Sequence, residues 1–172
     1  MWPEHDEIRS DNLAHCVGDF CGIAGALNRA GLLGKFPDGH IVEARTLLLA
    51  DLDHFKGINE TFGHSGGDAA LKAFVIRVRE FLKKNEFIAR LGGEEFGIML
   101  ATADLQVAAL RAEQIRERIA SEPVLWNEQP MVVTTSIGIA VSNKPALMDA
   151  VLARADNALY QAKRSGCNRV TG

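Results

Sequence analysis

Residues 87–100 read Phe87-Ile88-Ala89-Arg90-Leu91-Gly92-Gly93-Glu94-Glu95-Phe96-Gly97-Ile98-Met99-Leu100. Two short apolar runs, Phe87–Ala89 and Phe96–Leu100, flank a polar centre with a double glycine. Apolar runs of this length bounded by turn signals suit strands, and adjacent glycines suit the tight turn of a hairpin. The stretch therefore predicts an antiparallel strand pair that carries two acids at its tip.

Outward from this hairpin, upstream, Ala44–Leu52 holds the continuous run Thr46-Leu47-Leu48-Leu49-Ala50, as expected of a strand covered on both faces. Phe55–Phe62 reads as a short helix with Asp53 as its N-cap. Asp68–Lys84 reads as a long amphipathic helix, because Leu71, Phe74, Val75, Val78 and Leu82 recur at spacings of 3 and 4. Further upstream, Leu27–Leu33 is a helical stretch closed by Gly34 and the turn Pro37-Asp38-Gly39. Downstream, Leu105–Ala120 predicts a helix and Met131–Val141 a strand. Ala146–Arg164 predicts a helix ended by Ser165-Gly166, and Arg169–Thr171 a short last strand. This order predicts an α+β fold: a central, mostly antiparallel sheet flanked by helices, in a ferredoxin-like or palm-like arrangement.

At 172 residues the chain has the length of one domain. Residues 1–20 read as an N-terminal linker or short helix, and residues 21–172 as the domain. With 47% hydrophobic and 24% charged residues, the composition is that of a globular chain and not a disordered one. A net charge of -3 argues against holding long nucleic acid by phosphate attraction. Aromatic residues, at 6%, are too sparse for a single-strand stacking platform. Three cysteines, Cys16, Cys21 and Cys167, form no CxxC pair, so neither a disulfide framework nor a structural zinc site is expected. No apolar run approaches the ~20 residues of a membrane span. The expectation is a cytoplasmic protein, or the cytoplasmic part of a longer membrane-anchored one, with no membrane contact by this segment.

Chemistry concentrates at two places. Asp51-Leu52-Asp53 ends the apolar strand, where carboxylates are costly unless hydrated, paired or bound to metal. The simpler reading is a solvated Asp51 and a helix-capping Asp53. Gly92-Gly93-Glu94-Glu95 is the second place. Read alone it is a turn with solvent-facing acids. Yet glycines let a ligand approach the backbone closely, and Mg²⁺ takes one or two carboxylates together with substrate phosphates. If the Leu47–Leu52 strand lies beside the hairpin, Asp51 and Glu94 converge in a two-metal phosphoryl-transfer design. Lys56, at a helix start that favours anions, and Lys163, at a helix end, are candidates for phosphate contact or plain surface charges. Asn59 and Asp68 bracket the loop Gly63-His64-Ser65-Gly66-Gly67. Together they can read the donor edge of guanine, or serve as local caps. His64 has no second histidine at metal spacing.

Arg90-Leu91-Gly92-Gly93-Glu94-Glu95-Phe96 closely resembles the signature of GGDEF domains, the diguanylate cyclases, in its GGEEF form. Asp51-Leu52-Asp53-His54-Phe55-Lys56-Gly57-Ile58-Asn59-Glu60, followed by Gly63-His64 and Gly67-Asp68, resembles the DxDxFKxxND…GHxxGD segment of that family. Asp156-Asn157-Ala158-Leu159-Tyr160-Gln161-Ala162-Lys163 with Gly166 and Asn168 resembles its C-terminal segment, and Leu27-Asn28-Arg29 the end of its opening motif. The resemblance runs from about Cys21 to the C-terminus. It implies the nucleotidyl cyclase palm-like GGDEF fold and the condensation of two GTP into cyclic di-GMP and two pyrophosphates across a homodimer, as in bacterial second-messenger signalling. Carried over by position, Asp51, the Leu52 carbonyl and Glu94 hold Mg²⁺ or Mn²⁺, two ions per active site. Glu94, Asp51 and Glu95 are the catalytic acids, with Glu94 assisting deprotonation of the 3′-hydroxyl. Asn59 and Asp68 read guanine, and His54, Phe55, Lys56, Gly92, Gly93 and Lys163 meet the rest of the nucleotide. The alternative is a catalytically idle GGDEF domain that binds GTP or cyclic di-GMP and regulates a partner.

Four positions depart from the family pattern. The opening motif DxLTGLxNR reads Cys21-Gly22-Ile23-Ala24-Gly25-Ala26-Leu27-Asn28-Arg29, without its Asp and Thr. His54 stands where an aromatic is frequent. The product-inhibition RxxD reads Lys83-Lys84-Asn85-Glu86, which makes Lys83 and Glu86 a degenerate inhibitory site, expected to be weak because lysine lacks the bidentate fork of arginine. Cys167 replaces a basic residue near the C-terminus.

Overall fold

A computed structural model of the chain describes residues 22–36 and 40–172. The segment 1–20, Cys16, Cys21 and the turn Pro37-Asp38-Gly39 lie outside the described residues. In chain order the elements are α1 (Arg29–Gly34), β1 (Ile41–Val42), β2 (Arg45–Leu52), α2 (Phe55–Arg79), β3 (Phe87–Gly92), β4 (Glu95–Leu100), α3 (Leu105–Ser121), β5 (Val124–Trp126), β6 (Gln129–Met131), β7 (Thr135–Ser142), β8 (Ala146–Leu147), α4 (Met148–Arg164) and β9 (Val170–Thr171).

Five strands form the central sheet in the order β3-β4-β2-β7-β9. Every neighbouring pair is antiparallel except β7 and β9. β2 lies at the centre, and its side chains alternate between two cores, as the period of a strand requires. Leu48, Ala50 and Leu52 pack with Phe74, Phe96 and Ile115, on the side of α2 and α3. Leu47 and Leu49 pack with Leu32, Val151, Ala155 and Leu159, on the side of α1 and α4. Both faces are covered, so β2 reads as an unbroken apolar run. α4 rests directly on β7: a Cβ at Gly138 would lie 2.2 Å from the Ala155 carbonyl oxygen and 2.3 Å from the Leu159 nitrogen. Only glycine admits that approach.

The structure differs from the sequence expectations at four places. Asp53 does not cap the following helix. The cap position is His54, at φ 55°, with no side-chain capping bond. The two helices expected over 55–62 and 68–84 are both present within the span α2, broken at the non-helical Gly63 (φ 72°, ψ 171°), but the second resumes before Asp68 and ends at Arg79. Asp68 therefore lies inside the resumed helix and does not cap it. The strand expected over Met131–Val141 is divided. Met131 closes the hairpin β5–β6, while β7 begins at Thr135. Ala146 and Leu147 pair with β1 in a small sheet of their own, so α4 starts at Met148.

Candidate active site

The end of β2 and the tip of the β3–β4 hairpin meet. β2 and β4 are in register up to Asp51 opposite Glu95, and Gly92 pairs with Glu95, which leaves Gly93-Glu94 as a two-residue turn. The Leu52 N–H donates to the Glu94 carbonyl at 3.3 Å, folding the turn against the strand end. Gly93 takes φ 48°, and the Arg90 side chain braces the turn by donating from Nε to the Gly93 carbonyl at 2.8 Å. A Cβ at Gly92 or Gly93 would meet nothing within 4 Å. Packing within the chain thus gives no reason for a glycine at 92, whose φ is ordinary. What the double glycine leaves is bare backbone facing open space.

Lys163, in the last turn of α4, reaches this strand end. Its Nζ donates to Asp51 Oδ1 and, at 2.8 Å, to Asp53 Oδ1. Asp53 is 2% exposed and accepts four bonds. Oδ1 also takes Ser136 Oγ at 2.7 Å, while Oδ2 takes Thr134 Oγ1 at 2.9 Å and the Asn168 N–H at 2.9 Å. One buried carboxylate thereby ties together β2, the start of β7, α4 and the turn after α4, where Gly166, Cys167 and Asn168 all have positive φ. Sequence reasoning missed Thr134 and Ser136. Their only signal was two hydroxyls at i and i+2, on one face of a strand start.

Negative charge outnumbers positive here. Burial raises the Asp51 carboxyl above its usual range. Lys163 opposes this, but Glu94 and Asp53 reinforce it. Burial likewise raises Glu95, with Asp51, Asp156 and Glu94 adding to the effect. Burial acts against Asp53 too, but the bonds from Lys163, Ser136 and Thr134 outweigh it and hold that carboxyl low. Burial acts against the Lys163 charge, and its bonds to Asp51 and Asp53 overcome this and raise its value. Asp51 and Asp53 therefore share one ammonium, with Glu94, Glu95 and Asp156 within electrostatic reach. Among the described residues no group of three or more His, Cys, Asp or Glu forms a ready-made metal cage.

The remaining candidates fall around the start of α2. His54 is exposed at the helix start and Phe55 packs partly against the core. The Lys56 side chain is 91% exposed, with Glu60 3.7 Å away. Across the Gly63 kink, a Cβ at Gly67 would lie 2.0 Å from Asn59 Oδ1, so the Asn59 carboxamide rests on Gly67 beside Asp68. The Asn59 carboxamide thus lies over the residue that precedes Asp68. The Lys83–Glu86 pair does not join the site. Glu86 is 6% exposed. It accepts from Arg111 Nη1 at 2.6 Å and Nη2 at 2.7 Å, and from the N–H groups of Lys83 and Ala101. Its carboxylate faces inward and is fully occupied.

Comparison with known proteins gives the family and the fold. The family model described as "Diguanylate cyclase, GGDEF domain" matches residues 39–169. Diguanylate cyclase DgcP of Pseudomonas aeruginosa is 43% identical over 126 residues, covering 72% of this chain and 19% of DgcP. The GGDEF domain of DgcB from Caulobacter crescentus, solved in complex with c-di-GMP, superposes with a TM-score of 0.79 at 28% identity, covering 95% of this chain and 97% of that one. The active GGEEF domain of a diguanylate cyclase from Vibrio cholerae superposes with a TM-score of 0.73 at 30% identity, covering 84% and 95%. The chain spans between 19% and 51% of the length of curated relatives such as DgcP and the probable diguanylate cyclase DgcF of Escherichia coli. A matched family signature, a shared fold and acids gathered at the hairpin tip make one conclusion: this chain belongs to the GGDEF family of diguanylate cyclase domains.

Proposed function

We propose that the domain condenses two GTP molecules into cyclic di-GMP with release of two pyrophosphates, as one half of a homodimer. The observation that carries this reading is the crowding of Asp51, Glu94 and Glu95 at a bare-backbone hairpin, with one lysine to balance them. An excess of carboxylates fits a site completed by divalent cation. Mg²⁺ ordinarily uses one or two protein carboxylates plus phosphate oxygens, so two carboxylates are enough for ions that arrive with a nucleotide. Asp51, the Leu52 carbonyl and Glu94 would hold two Mg²⁺ or Mn²⁺. When bound, the ions supply charge neutralisation at the α-phosphorus and activation of the 3′-oxygen. A Glu94 carboxylate oxygen accepts the proton of the 3′-hydroxyl, and Glu95 adds negative potential beside it.

The rest of the site binds and orients. Asn59 and Asp68 accept from and donate to the guanine edge at the Gly63 kink. His54, Phe55 and the exposed Lys56 stand at the start of α2, where backbone N–H groups point at anions. The backbone of Gly92 and Gly93 lies alongside the phosphates, and Lys163 neutralises them from α4. The DgcB domain solved with c-di-GMP supports a purine dinucleotide as the product class.

One domain holds one GTP, so turnover needs a facing copy. Pyrophosphate release from GTP per milligram of protein should rise with protein concentration, because dimerisation follows mass action. A specific activity constant from nanomolar to tens of micromolar would contradict assembly during the assay.

Cys167 offers a second check. It is half-buried at φ 61°, with its Sγ 3.8 Å from the Lys163 carbonyl oxygen. Arg169 is turned back onto the Cys167 carbonyl at 3.2 Å and does not replace the missing charge. Cys167→Arg should lower the KM for GTP about fivefold, on the order of 1 kcal/mol of charge-assisted bonding. An unchanged melt with no fall in KM would show that the thiol is a packing residue only.

A further inference from the structure

The geometry points to Lys163 as a resident counter-ion on Asp51, anchored by Asp53, which a divalent cation must displace from Asp51 as the site loads. This inference rests on the reading of Asp51 as a metal ligand. It adds that the ligand-free site is closed by a cation belonging to the chain.

The two aspartates hold the same ammonium very differently. Asp53 is fixed. Both of its oxygens are filled, its side chain is fully buried, and Thr134, Ser136 and the Asn168 N–H bind it from three directions. Asp51 is exchangeable. Its side chain keeps 17% exposure, and Lys163 is the side-chain partner of its Oδ1. When Lys163 leaves Asp51, the Asp53 bond can persist, so the ammonium stays at the strand end. A swing of the flexible four-carbon stem then places it against a phosphate without loss of its anchor. Asp51 exchanges one positive partner for another, and its charge is balanced before and after loading. Asp53 is therefore a positioning residue that acts through Lys163. Fixing the lysine costs the site some metal affinity when nucleotide is absent, so metal and nucleotide are favoured as joint arrivals.

The test uses the 172-residue chain without nucleotide, titrated with Mn²⁺, free ion being read from its electron paramagnetic resonance signal. Lys163→Met should bind Mn²⁺ at least fivefold more tightly than wild type, and Asp51→Asn should lose that binding. Equal or weaker binding by Lys163→Met, with binding still lost in Asp51→Asn, would overturn the counter-ion inference and leave the metal reading standing. Mn²⁺ uptake that ignores Asp51→Asn would overturn both. If Lys163→Met fails to melt cooperatively, the wild type answers the question. The ¹⁵N-detected ammonium resonance of Lys163 should move over the Mg²⁺ range that fills the site by calorimetry, and a resonance that stays fixed through saturation would refute the exchange.

Discussion

Asp51→Asn and Glu94→Gln should each slow cyclisation of GTP by roughly 10³-fold, the scale of removing a group that stabilises transition-state charge, and neither should lower the melting temperature. The second half of that expectation follows from the electrostatics. Burial, Glu94 and Asp53 raise the Asp51 carboxyl above its ordinary value. A carboxyl raised on folding adds stability only while it is protonated. That contribution is complete below its unfolded value and is lost as pH rises through the folded value. At neutral pH the ionised Asp51 therefore carries a burial cost, which the support it lends the Lys163 charge offsets in part, so removing its charge should leave stability little changed. Lys163 retains Asp53 as a partner at 2.8 Å. Side-by-side activity assays and thermal melts check both halves. Near-wild-type turnover by either variant would refute the metal assignment, and a large fall in melting temperature for Asp51→Asn would refute the charge argument.

Glu86→Ala has the opposite profile: a large loss of stability and no loss of a catalytic group. The change leaves the buried Arg111 guanidinium without its carboxylate and strips the Lys83 and Ala101 N–H groups of their acceptor. Breaking a buried ion pair by removing one partner costs about 3–5 kcal/mol, which lowers Tm by roughly 6–20 °C in a chain of this size. Replacing both partners, Glu86→Leu with Arg111→Met, should recover most of that loss, since it leaves no uncompensated charge. Burial works against the Glu86 charge, but Arg111 and the two N–H groups prevail and hold its carboxyl below the usual range. Its stabilisation is therefore present above the unfolded glutamate value and is lost as pH falls through the lower folded value. Urea melts of wild type and Glu86→Ala should accordingly converge at low pH. The same geometry bears on feedback: with Glu86 turned inward, only Lys83 of the pair is open to product. Tight cyclic di-GMP binding that disappears in Lys83→Ala would contradict this.

Much of the site was legible in the sequence because its parts lie within strand ends and turns that local chemistry dictates. The unbroken apolar run before Asp51 announced a strand covered on both faces, and Gly92-Gly93 announced a tight hairpin, whose turn falls one residue on, at Gly93-Glu94. Together they foretold that Asp51 and Glu94 would meet if the two strands paired. What stayed hidden depends on contacts between distant segments. Asp53 looks like a cap because an acid before a helix commonly is one. Its real partners, Thr134, Ser136, Lys163 and Asn168, lie 81 to 115 residues away. Glu86 looks like a degenerate ligand because the family pattern places one there. Arg111, 25 residues on, turns it into a strut. The two helices on either side of Gly63 stay close because Gly66 and Gly67 let Phe62 and Asn59 pack over the resumed turn, where a Cβ would clash.

The central claim is that this domain makes a cyclic dinucleotide, and identifying the product tests it most directly. Incubation of the protein at micromolar concentration with GTP and Mg²⁺, followed by mass analysis, should yield cyclic di-GMP and two pyrophosphates per product formed, with no product from the Glu94→Gln variant. Unaltered GTP recovered after prolonged incubation with folded protein at dimer-forming concentration would contradict it and identify the domain as a catalytically idle binding module.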